Sequence, residues 1–237
     1  MTARLPGAFH AGTSGYSYKG WKGTLFPADL PQDEFLRAYS ARFSTVEINH
    51  TFYRFPVASV LEQWVVETPP GFTFAIKANQ RITHRSRLKN VEEVTASFVE
   101  RCRTIGERLG PILFQCPPVL GRDDARLAAF LATLPAGPRY AIEFRNPSWF
   151  EQPVWDLLAG AGVAFVQSED DKLATPRVVT AEFCYVRLRR DDYTTERLDE
   201  WREWIAGRRD EGRDVYVYLK HDEGGTSPEP LIRSLGG

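Results

Sequence analysis

"AIEFRNPSWF", residues 141–150, sets the frame for the whole chain. Ala141, Ile142 and Phe144 read as a buried strand, yet Glu143 and Arg145 stand two apart within it and just after it. Side chains alternate between faces along a strand, so the two charges share one face while Ile142 and Phe144 share the other. Such a strand needs an apolar layer on one side and an enclosed polar space on the other.

The same pattern recurs on both sides of this stretch. Strands are expected at 9–14, 45–49, 72–79, 111–116, 140–145, 163–169, 184–189 and 214–220. Between them lie helical windows at 31–43, 58–68, 91–110, 122–134, 153–162 and 195–212, and a brief helix is expected near "EPLIRSL". Pro31 opens one window, and Gly110, Gly162 and Gly212 close others. The link from strand six to strand seven carries no helical pattern. Eight strand–helix units predict a single-domain α/β chain, residues 1–237, folded as a TIM-like (β/α)8 barrel and irregular around strands six to eight.

Splitting the strands by parity yields two sets. One is apolar: Val46, Ile48, Phe74, Ile76, Ile112, Phe114, Ile142, Phe144, Ala164, Val166, Val186, Leu188, Val217 and Leu219. It is expected to pack under helices. The other holds Glu47, Asn49, Lys77, Asn79, Gln115, Glu143, Arg145, Gln167, Glu169, Arg187, Arg189, Tyr218 and Lys220, joined by His10, Gly12 and Ser14. It is expected to face the barrel axis, with its charges gathered at the C-terminal strand ends where barrel active sites sit.

Bulk properties exclude several classes. The chain is 43% hydrophobic and 26% charged with a formal net charge of −1, so no global field marks a nucleic-acid or membrane partner. Cys102, Cys116 and Cys184 are three unclustered cysteines, which argues against a disulfide framework or zinc ribbon and suits a reducing cytosol. The opening "MTARLPGAFHAG" lacks the apolar core of a signal peptide, and no apolar run reaches the ~18 residues of a membrane span.

The charge at the mouth is therefore local. Lys77, Arg145, Arg187, Arg189 and Lys220, with His221 just beyond, face Glu47, Glu143 and Glu169. Three of these cations would pair with the glutamates, and two are left over. That excess predicts an anionic ligand. Asn49, Asn79 and Gln115 add amides, His84 follows strand three, and Tyr53 and Trp149 lie in flanking aromatic loops that serve either as a lid or as stacking platforms. Glu47 and Glu143 are the candidate acid/base pair, a role that requires ~5–9 Å between them. No HExxH or HxH spacing occurs, so no metal or cofactor is expected. Cys116 has outward parity and is expected to pack as a small apolar residue.

Five stretches together, "GTSGYSYKGWKGTLFP", "VEINHTFYRFP", "FAIKANQRITH", "AIEFRNPSWF" and "VYVYLKHDEGG", resemble the YecE-like family, the domain of unknown function numbered seventy-two. The resemblance runs from about Gly12 to the final helix. It implies a TIM-like barrel and no established activity; likenesses drawn to sugar isomerases and endonuclease-type barrels are analogies of fold. Cys116 in "QCPP" stands where the family pattern leads one to expect an aromatic residue.

Three functions fit these residues. The leading one is an enzyme acting on a phosphorylated or acidic sugar-like molecule, with Glu47 or Glu143 as base. The second is a nucleic-acid-binding or nuclease-like barrel, and the third a ligand-binding or assembly protein without chemistry. Oligomeric state is open.

Overall fold

The computed structural model describes residues 5–220 and 226–236 and shows an α/β fold built on two parallel sheets. The strands are β1 (Phe9–Thr13), β2 (Thr45–Ile48), β3 (Thr73–Lys77), β4 (Leu109–Gln115), β5 (Tyr140–Glu143), β6 (Ala164–Phe165), β7 (Gln167–Glu169), β8 (Phe183–Leu188) and β9 (Asp214–Leu219). One sheet runs β2-β3-β4-β5-β6 and the other β1-β9-β8-β7. A parallel bridge from Ser14 to Glu47 links β1 to β2. On the other side, β6 continues through Val166 into β7, and the Val166 N–H donates to the Ile142 carbonyl at 2.9 Å. The single sixth strand expected from sequence is thus two short segments around Val166.

The helices are α1 (Phe35–Ser40), α2 (Ala58–Glu67), α3 (Glu92–Arg103), α4 (Asp124–Ala132), α5 (Gln152–Gly160), α6 (Thr195–Asp210) and α7 (Glu229–Gly236). Among the described residues, no helix is long and apolar enough to cross a membrane. Asp123 caps α4 by accepting from the Arg126 N–H, and Thr194 caps α6 in the same way from Arg197. Gly162 and Gly212, at φ 66° and 75°, take the left-handed turns that end their helices. Gly110 does not close a helix. It is the second residue of β4, where a Cβ would stand 3.1 Å from the Phe74 carbonyl oxygen.

The apolar parity set meets the helices. Trp64 of α2 stacks on Phe74 at 5.1 Å, and Phe130 of α4 packs edge-on against Phe114 at 5.1 Å. Cys116 is buried in the same layer. On the other strand face, Ala75, Leu113, Ala141, Ala164, Val166, Phe183, Tyr185, Tyr216 and Tyr218 form a second buried cluster drawn from both sheets. Small residues on β3, β5 and β6 leave room for the tyrosines of β8 and β9.

Strand six reverses the expected parity. Ala141 pairs in register with Ala164, and Ser168 with Arg187, so Ala164, Val166 and Ser168 share the face opposite the helices. Gln167 and Glu169 point the other way. Gln167 Nε2 donates to the carbonyls of Phe165 and Val178, while Glu169 accepts from Trp201 Nε1 of α6 at 2.8 Å and pairs with Arg197. The cause is the link between β7 and β8, which has no helix. It lies against this strand as irregular chain, and polar groups are exchanged across the contact: Thr175 and Thr180 of the link accept from the Ser168 and Phe165 N–H groups, and Gln167 donates to the Val178 carbonyl.

Candidate functional site

At the C-terminal ends of the strands, one guanidinium ties the two sheets together. Arg187 of β8 donates from Nη2 to Glu47 Oε1 at 2.8 Å and from Nη1 to Glu143 Oε2. All three side chains are buried. Glu47 Oε1 also accepts from Ser14 Oγ at 2.9 Å and Asn49 Nδ2 at 3.1 Å, and its Oε2 accepts from Tyr185 Oη at 2.8 Å. Three of these four donors meet Oε1 and one meets Oε2. Glu143 Oε1 accepts from Gln115 Nε2 at 2.9 Å and Arg145 Nη1 at 3.2 Å. Arg145 reaches on to Asp170, whose Oδ1 is held by the N–H groups of Lys172 and Leu173.

This network keeps the glutamates charged. Burial alone would raise the Glu47 carboxyl, but the Arg187 guanidinium, with help from Arg189 and Tyr185, outweighs it and holds the group at about 2. Glu143 is lowered by the same balance between burial and Arg187, with Arg145 and Gln115 adding to the pull. Tyr185, buried and beside Glu47, stays protonated as a donor.

Two cations of the same face stand apart from this pairing. Lys77, at the end of β3, has its Nζ 4.3 Å from the centroid of the Phe52 ring. Arg189 follows β8. Neither makes an ion pair or a side-chain hydrogen bond among the described residues, and both are half-buried. Burial and then the Arg187 charge pull Lys77 down to about 8, and the same two causes lower Arg189.

The remaining predicted residues are distributed around this core. His84 lies on a π-helical turn, Arg81–Arg85, with its ring edge-on to Phe52 at 4.8 Å and its Nδ1 on Thr83 Oγ1 at 2.9 Å. Tyr53 is 70% exposed beside Phe52. Lys220 pairs with Asp191 at 2.7 Å. Asn79 is buried and spends its amide on the Thr51 carbonyl, anchoring the loop after β2. Trp149 lies away from this network: it is fully buried, stacked 4.3 Å from Phe144, and donates to the Leu120 carbonyl. Its neighbour Phe144 has outward parity, which carries the ring under the helices. His221 lies outside the described residues.

Sequence reasoning missed Tyr185 and Asp170. Tyr185 shares parity with Arg187, two positions on, and that signal was available. Asp170 is recovered only once strand six is shifted by one. His50, after β2, sets its ring edge-on to Trp64 at 5.5 Å. Among the described residues, no three histidine, cysteine or acidic side chains are grouped to hold a metal ion. A cleft of about 570 Å³ lined by Leu131, Pro135, Tyr140 and Leu157 opens at the opposite, N-terminal end of β5 and contains none of these groups.

The comparisons with known proteins agree with this architecture. The family model described as "Protein of unknown function DUF72" matches residues 10–234. UPF0759 protein YecE of Escherichia coli (strain K12) is 31% identical over 116 residues, 48% of this chain and 43% of that protein. UPF0759 protein YunF of Bacillus subtilis (strain 168) is 30% identical over 151 residues, 58% of this chain and 52% of that one. The chain spans about half the length of these curated relatives. A DUF72 family protein from Thermotoga maritima MSB8 superposes with a TM-score of 0.85 at 25% identity, over 96% of this chain and 97% of that chain. One from Enterococcus faecalis V583 superposes at 0.76 and 18% identity, over 96% of each, a likeness of fold alone.

Proposed function

The chain belongs to the DUF72 family, proteins of unknown function, and for this member we propose a barrel-mouth site that binds a small molecule bearing a phosphate or carboxylate. In this reading the two sheets form one TIM-like barrel. The Ser14–Glu47 bridge and the run of β6 through Val166 into β7 support that closure. The observation that carries the ligand class is the state of Lys77 and Arg189. They share the mouth with Arg187, have no carboxylate of their own among the described residues, and each is lowered by burial and by the Arg187 charge. Like charges held near one another and partly screened from water repel, and an anion seated between them relieves that repulsion. Glu47 and Glu143, expected as bases, serve here as anchors: both are held by Arg187 and its neighbours and kept charged.

Thermal-shift titration with phosphate, sulfate and chloride at matched ionic strength tests the proposal. Phosphate or sulfate is expected to stabilise saturably, by about 2.7 kcal/mol at 100 times its dissociation constant. Lys77→Met and Arg189→Met are each expected to weaken binding roughly tenfold, the loss of one charge-assisted hydrogen bond. An equal, unsaturable response to all three salts would remove the anion site.

A further inference from the structure

We propose that Lys77 is a reactive amine, and that the mouth takes anionic aldehydes or ketones, such as oxo acids, which condense with its Nζ to form an imine. This deepens the anion-site reading and rests on it for the charge of the ligand. Of the 30 lysines and arginines only six are lysines, and two of these belong to the site: Lys220 pairs with Asp191, whereas Lys77, at the mouth-facing end of β3, has the arginines Arg187 and Arg189 as its cationic neighbours. Arginine holds charge permanently, whereas a lysine can give up its proton and expose a nucleophilic lone pair. A lysine needed only for charge would be best served by a carboxylate neighbour. Glu47 and Glu143 are near enough to act on Lys77 electrostatically, yet both are claimed by Arg187. The ammonium is left instead over the Phe52 face.

The groups facing it set its acidity. Burial, Arg187 and Arg189 favour the neutral amine, Glu47 and Glu143 oppose them less strongly, and the balance lies at about 8. Exposed lysines titrate near 10.4, so at neutral pH Lys77 carries on the order of 100 times more free amine. His84 shares the Phe52 ring with Lys77 and is itself lowered by burial and by the Lys77 charge. A neutral imidazole there is suited to carrying protons between nitrogen, oxygen and solvent.

The step balances without an oxidant. The amine lone pair forms a bond to the carbonyl carbon as the C=O π electrons move to oxygen, and a proton passes from nitrogen to that oxygen. The hydroxyl then leaves as water after taking up one further proton, which leaves a protonated C=N bond. Arg189 is placed to hold the ligand's carboxylate or phosphate during this exchange.

Reductive trapping tests it. The full chain is incubated with glyoxylate and cyanoborohydride, which delivers hydride to the imine carbon, and the adduct is located by peptide mass mapping. Lys77 is expected to label on the order of 10- to 100-fold faster than exposed Lys19, Lys22, Lys89 and Lys172 at neutral pH. Its rate should level off above about pH 8 while theirs continue to climb. K77R, checked for an unchanged melting temperature, should lose the fast adduct. If K77R fails to fold, wild-type mapping and its pH profile decide alone. Saturable phosphate stabilisation with Lys77 labelling no faster than the exposed lysines would overturn the imine and leave the anion site standing. Equal fast labelling of Lys77 by glyoxylate and by uncharged propionaldehyde would uphold the imine and remove the anion's part in it.

Discussion

At Arg187 one guanidinium answers two carboxylates from the other sheet, and neither it nor they touch water. Arg187→Ala strands Glu47 and Glu143 in a buried site, a loss of about 3–5 kcal/mol, and urea denaturation would show it. The pH dependence has a definite sign. The folded value of Glu47, about 2, lies below its ordinary 4.5, so its contribution is complete above about pH 4.5 and fades as pH falls toward 2. Glu143 moves in the same direction. In Arg187→Ala burial is left to dominate, and a buried carboxyl that must stay charged is relieved by protonation. That variant is therefore expected to gain stability between pH 7 and 5, where the wild type is flat in these two groups. Equilibrium unfolding across that range separates the two behaviours.

At the scale of elements, the seam between β1 and β2 depends on a missing side chain. A Cβ on Gly12 would fall 2.0 Å from the Thr45 carbonyl oxygen and 2.8 Å from Tyr39 Oη. Neither the carbonyl, which is backbone, nor Tyr39, fully buried, can step aside cheaply. Gly12→Ala should part the strands, loosen the Ser14–Glu47 hydrogen bond and cost on the order of 1–3 kcal/mol. Gly121→Ala, which meets nothing within 4 Å, is the matched control and should leave the melting temperature unchanged. These elements also show where pattern reading succeeds and fails. On β2, β3, β4, β5, β8 and β9 one parity is uniformly apolar and the other carries the charged and amide residues, and those two sets take the expected faces, with Leu113 and Phe183 as apolar members of the second face. On "VAFVQSE" both parities are apolar over the first four residues, so the polar tail decided the reading, and it decided wrongly. Gln167 and Glu169 are polar because they bind the irregular link and α6, which lie on the side where other strands meet apolar helix faces.

For the whole molecule, the question is whether the ligand is small or a polyanion. Arg54, Arg81, Arg85, Arg87 and Lys89 are exposed on the loops after β2 and β3 and form no ion pair among the described residues. If the ligand is small and seated at Lys77 and Arg189, the triple substitution Arg85→Ala, Arg87→Ala, Lys89→Ala is expected to leave phosphate stabilisation within about twofold. A nucleic acid lying across those loops would behave otherwise, with the slope of log affinity against log salt falling by about 0.7–0.9 for each phosphate contact removed. Fluorescence anisotropy of an oligonucleotide against salt, with the wild type and the triple variant, distinguishes them. By itself the sequence determined the alternation of strands and helices, the face that carries Glu47, Lys77, Glu143 and Arg187, and the family, because periodicity and motif order are local properties of the chain. Only the tertiary structure decided which charges are spent and which remain. Arg187 is consumed by two glutamates from strands about 45 and 140 positions away in the chain, and Lys77 and Arg189 are left over, because the pairing of buried ions depends on distances across the fold.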